Sequence, residues 1–292
     1  MSVLCVGYPT LDHIAAVTAG QGREQTRYIT RHWPRPTPGG CACNVAVGLA
    51  RLGHRAAVQF TLGDDPSSDQ FIAGLNAEGV DTGRVGRQVG ASVPKIYMFI
   101  SDLASEVFFD PGGIEDHAHT LDFTGISHLL VTVAPPAATL SYFDQAERAG
   151  VRTVWQLKLD PQAVSREVLL SCVWRTDLLL CNEREYQHLQ AVLAPTGLEP
   201  LLEGRLGAVV VTQGERGSEV LTRAGRTPVP AVPAAVVDTT GAGDAYTAGF
   251  LHGLLRGDTL ESCARLGAKV ASMVVAHWGS QTGLPTREAL GE

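Results

Sequence analysis

With 292 residues, 45% hydrophobic side chains and 32 glycines, the chain is large enough to bury one extensive α/β core with a small appendage, and a second full domain is unnecessary. A formal charge of −7, a pI near 5.7 and the lack of any Lys/Arg run exclude a nucleic-acid scaffold. No apolar run reaches about 18 residues and no charged leader precedes an apolar one, so a soluble cytoplasmic enzyme for small molecules, without a membrane partner, is the expected class.

Val3 to Val6 is a short apolar run closed by Gly7, the pattern of a buried first strand. Arg27 to Trp33, Lys95 to Ile100 and Glu106 to Phe109 mix polar and apolar residues, as expected of a small sheet exposed on one face. Between them lie Pro38-Gly39-Gly40, a helix from Asn44 to Gly53, a strand from Ala56 to Leu62, a turn at Gly63–Pro66 and a helix through Phe71, Ile72 and Leu75. Beyond residue 120 the alternation becomes regular. Strands near 128–133, 151–157, 177–181 and 207–212 are interleaved with helices near 138–149, 163–171 and 183–192, the pattern of a parallel sheet with crossover helices. Helices near 243–256 and 259–276 close the chain. In such a sheet ligands sit beyond the carboxyl ends of the strands, and Asp12, Gly39-Gly40, Asn182 and Asp244 all follow strand-like segments.

The run Val237-Asp238-Thr239-Thr240-Gly241-Ala242-Gly243-Asp244-Ala245 carries the most chemistry. Two glycines and an alanine leave backbone N–H groups uncovered where a helix begins, and that geometry attracts an anion. A carboxylate there would repel a phosphate held for its own sake, but it suits a base that deprotonates a hydroxyl attacking phosphorus. The same run also suits a plain glycine-rich turn with Asp244 complementing the helix dipole. It is neither a dinucleotide fingerprint, because Tyr246 stands where a third glycine belongs, nor a P-loop, because no Lys-Ser or Lys-Thr follows. The six cysteines, Cys5, Cys41, Cys43, Cys172, Cys181 and Cys263, match no disulfide framework or zinc pattern and read as reduced thiols.

Together these separated motifs resemble the ribokinase-like, or PfkB, family of carbohydrate and nucleoside kinases, over almost the whole chain. The resemblance rests on Asp238 to Phe250, on Gly39-Gly40-x-x-x-Asn44 with Ala50-Arg51-Leu52-Gly53, on Gly7 with Asp12, on Leu62-Gly63-Asp64-Asp65, on Asn182-x-x-Glu185, and on Val211-Thr212-x-Gly214-x-x-Gly217. It implies an α/β fold: one kinase domain over 1–292, a central mostly parallel sheet flanked by helices, and a small β-sheet lid from about 12–36 and 92–112. It also implies ATP, Mg2+ and in some relatives a monovalent cation such as K+, with a homodimer formed through the lid.

Residue by residue, the resemblance makes Asp244 the base and the amides of Gly241, Ala242 and Gly243 the hold on the transferring phosphoryl. Asp12, Gly39, Gly40 and Asn44 become the sugar-binding set. Asn182 and Glu185 would act on magnesium, although the same pair also reads as a helix cap and capping box. Thr212, Gly214, Gly217, His277 and Gly279 would border the nucleotide, and Asp238 the monovalent cation. Cys41 and Ala42 stand where ribokinases carry a lysine and a glycine, and Leu130 to Pro135 offers Thr132 in place of a glutamate. A ketose or acidic sugar is therefore expected over D-ribose. Lys158, at a strand's carboxyl end, would favour an anionic substrate if it faced the cleft, and is otherwise a solvated loop lysine. A nucleoside kinase is the alternative, with Tyr97, Phe99, Phe108 and Phe109 forming either a base pocket or lid core; a non-catalytic ligand-binding regulator is the reading from another class.

Overall fold

A computed structural model of the chain describes residues 2–19, 26–32, 36–101, 105–115, 118–160, 162–194 and 197–292. Trp33 and parts of the expected lid segments therefore lie outside the described residues. In chain order the elements are β1 (Ser2–Val6), β2 (Thr10–Val17), β3 (Ile29–His32), β4 (Thr37–Gly39), α1 (Cys41–Arg51), β5 (Arg55–Gln59), β6 (Thr61–Gly63), α2 (Pro66–Ala77), β7 (Gly86–Gln88), β8 (Lys95–Ile100) and β9 (Ser105–Asp110). There follow β10 (His128–Val131), α3 (Pro136–Ala149), β11 (Arg152–Gln156), α4 (Arg166–Val173), β12 (Leu178–Asn182), α5 (Glu183–Leu193), α6 (Glu199–Glu203), β13 (Ala208–Thr212), β14 (Ser218–Thr222), β15 (Gly225–Val229), α7 (Ala242–Arg256) and α8 (Leu260–Val274).

The main sheet has the order β15-β14-β13-β12-β11-β10-β1-β5. It is parallel from β13 to β5 and antiparallel at the β13-β14-β15 edge. Val3, Leu4, Cys5 and Val6 are fully buried because helices cover both faces: α1, α7 and α8 pack on one, α3, α4 and α5 on the other. Among the described residues no helix is long and apolar enough to cross a membrane.

The strand expected from Ala56 to Leu62 is divided at Phe60. β5 stays in the main sheet, whereas β6 turns away to pair with β7, and the Phe60 carbonyl accepts from the Gly86 amide at 2.9 Å. Helix α1 begins at Cys41 rather than at Asn44. Gly40 makes this possible at φ +90°, where a Cβ would lie 2.3 Å from the Tyr8 carbonyl oxygen. Asn44 thus sits one turn inside the helix, not at its cap.

The second sheet is β3-β2-β8-β9 with β4 on β2, and the Tyr8 amide, leading into β2, donates to the Val133 carbonyl just past the carboxyl end of β10 at 2.8 Å. Its pleat sorts side chains onto two faces. Asp12 is in register with Ile96, and Ile96 with Phe109; one position along, His13 is in register with Tyr97, and Tyr97 with Phe108. The four aromatics read together from sequence are therefore split: Phe109 shares the face of Asp12 and touches Tyr8 at 4.9 Å between ring centroids, while Tyr97, Phe99 and Phe108 share the opposite face with His13.

Candidate active site

The glycine run follows residues 230–240, which belong to no strand, rather than the strand-like segment expected before it, and it opens α7. Gly241 takes φ +77°, and a Cβ there would fall 2.5 Å from Cβ of Ser280, so the loop can fold this tightly only with glycine. Beside Gly243 the corresponding space is open. Ala242 differs from expectation, since its amide donates back to the Thr239 carbonyl at 3.2 Å and is spent on the turn.

Asp244, in the first turn of α7, is buried and held from two sides. Nδ2 of Asn44 donates to Oδ2 at 2.7 Å, and Nε2 of Gln156 donates to Oδ1 at 2.5 Å. Asn44 is itself fixed, its Oδ1 accepting from Ser280 Oγ at 3.1 Å and Gln281 Nε2 at 2.9 Å. These bonds commit the Asn44 Oδ1 and one of its two Nδ2 N–H groups to Asp244 and the 280–281 loop. Gln156 does not stand out in the sequence beyond its place at the end of a strand, and the segment carrying Ser280 reads there as a border of the nucleotide rather than as a support for Asn44.

On the lid side, Asp12 is buried and accepts from Thr10 Oγ1 at 2.6 Å. Gly39 lies against it so closely that a Cβ would meet Oδ2 at 2.1 Å. Burial pushes the Asp12 carboxyl up to about 6, opposed by the Thr10 hydrogen bond and Lys158 and reinforced by Asp244.

Beneath Asp244 lies a cavity of about 200 Å³ lined by Gly241, Ala242, Gly243, Asn182, Glu185 and Lys158 among others. It runs into an apolar groove of about 590 Å³ through the shared walls Thr212, Thr239, Ala242, Gly243 and Tyr246; Gly214 and Gly217 border that groove. Gly217 adopts φ +93°, with Val229 O only 2.2 Å from where its Cβ would be. His277 is not among the groove's lining residues; its Nδ1 lies 2.9 Å from the Met273 carbonyl, and Ala268, Ala271, Ser272 and Val275 form that wall instead. Gly279 donates its amide to Asp238 Oδ2 at 2.9 Å, while Asp238 Oδ1 accepts from the Thr240 amide at 2.9 Å. Asp238 lines neither cavity and serves to tie the two loops together.

Asn182 and Glu185 form a complete capping box: Asn182 Oδ1 accepts from the Glu185 amide at 2.9 Å and Glu185 Oε2 from the Asn182 amide at 2.7 Å. They nevertheless line the cavity, and burial raises the pKa of Glu185. Among the described residues no group of three or more His, Cys, Asp or Glu side chains could hold a metal ion. Burial pushes the Cys41 thiol up to about 12, so it is neutral in the cleft. Lys158 is exposed to the solvent of the cleft, and its ammonium is favoured by the Asp244, Glu185 and Asp12 carboxylates.

The chain is similar to a nucleoside kinase of Methanocaldococcus jannaschii, 29% identical over 99% of this chain and 95% of that protein. It is also similar to an uncharacterized sugar kinase of Archaeoglobus fulgidus, 30% identical over 82% of this chain and 98% of that one. The crystal structure of the M. jannaschii nucleoside kinase superposes with a TM-score of 0.88 at 27% identity, covering 98% of this chain and 95% of the other. The structure of Burkholderia thailandensis nucleoside kinase with inosine gives a TM-score of 0.86 at 22% identity over 99% and 94%, a likeness of fold. The pfkB family carbohydrate kinase pattern matches residues 2–287. A clamped carboxylate at a glycine-rich helix start, an adjoining apolar groove and this match agree: the chain belongs to the pfkB carbohydrate kinase family and is an ATP-dependent kinase.

Proposed function

We propose that the enzyme transfers the γ-phosphoryl group of ATP to a hydroxymethyl group, with a nucleoside as the acceptor class best supported. The observation that carries the transfer is Asp244, oriented by Asn44 and Gln156 at the mouth of the Gly241–Gly243 turn. Asp244 takes the proton of the attacking hydroxyl, and the amides of Gly241 and Gly243 stabilise charge on the transferred group. Asp12, packed on Gly39, accepts from acceptor hydroxyls. Phe109, on the cleft face of the lid, and Tyr8, in the connection before β2, offer a surface on which a nucleobase can stack, in keeping with the nucleoside kinases among the relatives. Thr212, Gly214 and Gly217 border the ATP.

One carboxylate and one amide, both already oriented, fit a magnesium ion that keeps most of its waters, so Glu185 and Asn182 would hold it. Such an ion would neutralise phosphate charge. Asp238 faces no cavity, and its part in the proposal is the loop tie rather than a potassium site. An acidic sugar is the second reading for the acceptor, favoured by Lys158 in the cavity wall. The outward lid face, with Tyr97 and Phe108 exposed, supports a homodimer formed through the lid.

The test is ADP release from ATP across nucleosides, ketoses and sugar acids. Asp244→Asn should lower kcat by about 10²–10⁴-fold, and Gln156→Leu, which removes one hydrogen bond to a charged group, by roughly 10–100-fold. An unchanged rate in Asp244→Asn would end the assignment of the base.

A further inference from the structure

We propose that Lys158 is a catalytic residue that holds the transferring phosphoryl group between donor and acceptor, a role that rests on the kinase reading above. The cavity containing Lys158 is the one walled by Gly241, Gly243 and Asp244, and it opens into the nucleotide groove; Asp12, Gly39 and Gly40 are not part of its wall. Lys158 thus shares one cavity wall with the base and the Gly241–Gly243 turn, with Cys41 on the same wall. Among the described residues it is the only lysine or arginine lining either cavity. Asp12, Asp244 and Glu185 all act on it electrostatically, yet none closes an ion pair with it among the described residues. Its three N–H donors are consequently available to a ligand. The neighbouring Cys41 is a neutral thiol and supplies no charge.

Charge decides the matter. A triphosphate entering beside three carboxylates meets repulsion that falls off slowly inside a partly desolvated cleft. An ammonium facing the same space reverses it, and most strongly where the equatorial oxygens of the moving phosphoryl carry the charge. In the step itself, the acceptor oxygen forms a bond to the γ-phosphorus, the bond from that phosphorus to the bridging oxygen of ADP breaks, and the hydroxyl proton passes to Asp244. Lys158 keeps all its protons and acts only through hydrogen bonds and charge. Gln156, two residues earlier on the same strand end, sets the base, so one segment aligns both partners of the transfer.

The full chain is titrated with ADP and with the non-hydrolysable analogue AMP-PNP in magnesium buffer, for the unaltered protein, Lys158→Met and Lys158→Arg, alongside steady-state kinetics. Lys158→Met should keep ADP affinity within about twofold, which also reports that it folds, and lose about tenfold or more in AMP-PNP affinity. Its kcat should fall about 10²-fold with little change in acceptor KM, and Lys158→Arg should recover part of the loss. A rise in acceptor KM alone, with kcat and both nucleotide affinities intact, would assign Lys158 to an acidic acceptor and overturn the proposal. No change in any of these would make it a solvated lysine and overturn it equally. Failure of the unaltered protein to bind either nucleotide would instead remove the kinase reading, and the role of Lys158 with it.

Discussion

At the residue scale the site is organised around carboxylates whose surroundings differ. Asp244 receives two side-chain donors, whereas Asp12 receives one from Thr10 and is otherwise buried against Gly39. Burial raises the Asp12 carboxyl from 3.8 to about 6, so the folded protein holds its proton more tightly than the unfolded chain does. The folded state therefore binds more protons between those two values, and stability falls as pH rises through them. The expected loss is on the order of 3 kcal/mol by pH 7. Denaturant melts of Asp12→Asn should lack this decline and be more stable than the unaltered protein at neutral pH; parallel pH profiles for the two proteins would disprove it. Local chemistry of this kind is legible in sequence, because Gly39-Gly40, Asn182-x-x-Glu185 and the Asp238–Asp244 run are each a turn or cap. Gln156 is not legible. Nothing within its own strand shows that residue 244 will lie across from it.

At the element scale the Gly241–Gly243 turn depends on how α7 lies against α8. Gly249 has the Leu266 carbonyl, Val270 Cγ2 and Gly267 Cα at 2.7–2.9 Å from its would-be Cβ, and Gly267 in turn faces Tyr246. No side chain fits between these helices without displacing backbone. Gly249→Val should destabilise the protein by at least about 1–3 kcal/mol, lowering Tm, and should raise the KM for ATP because α7 carries the Gly243 amide. A Tm equal to that of the unaltered protein would contradict this packing. Sequence periodicity locates both helices and the parallel strands well, since the helices run for 15 residues each and strands such as Leu178–Asn182 and Ala208–Thr212 are continuous apolar runs up to their last residue. It misses the β14–β15 hairpin and the β6–β7 pair, whose strands mix polar and charged residues, glycine and proline and take their identity from their partners.

At the scale of the whole molecule the lid has two faces with different duties. The face bearing Asp12, Ile96 and Phe109 looks into the cleft and leaves Phe109 42% exposed, and the other leaves Phe108 54% and Tyr97 37% exposed. Sedimentation should show a dimer that Phe108→Asp converts to a monomer, while an unaltered protein that sediments as a monomer would end the lid-dimer proposal. The pleat explains why sequence alone grouped four aromatics that the fold divides: alternation is visible in a strand, but which alternate faces the ligand depends on the strand's neighbours. The clamp on Asp244 has a consequence in time as well as in space. Its parts come from residues 44, 156, 244 and 280–281, four stretches that meet only when the main sheet is complete. A chain still being synthesised, or one trimmed before residue 280, would own every catalytic group except the assembled geometry, and so would leave cellular ATP untouched until folding had finished.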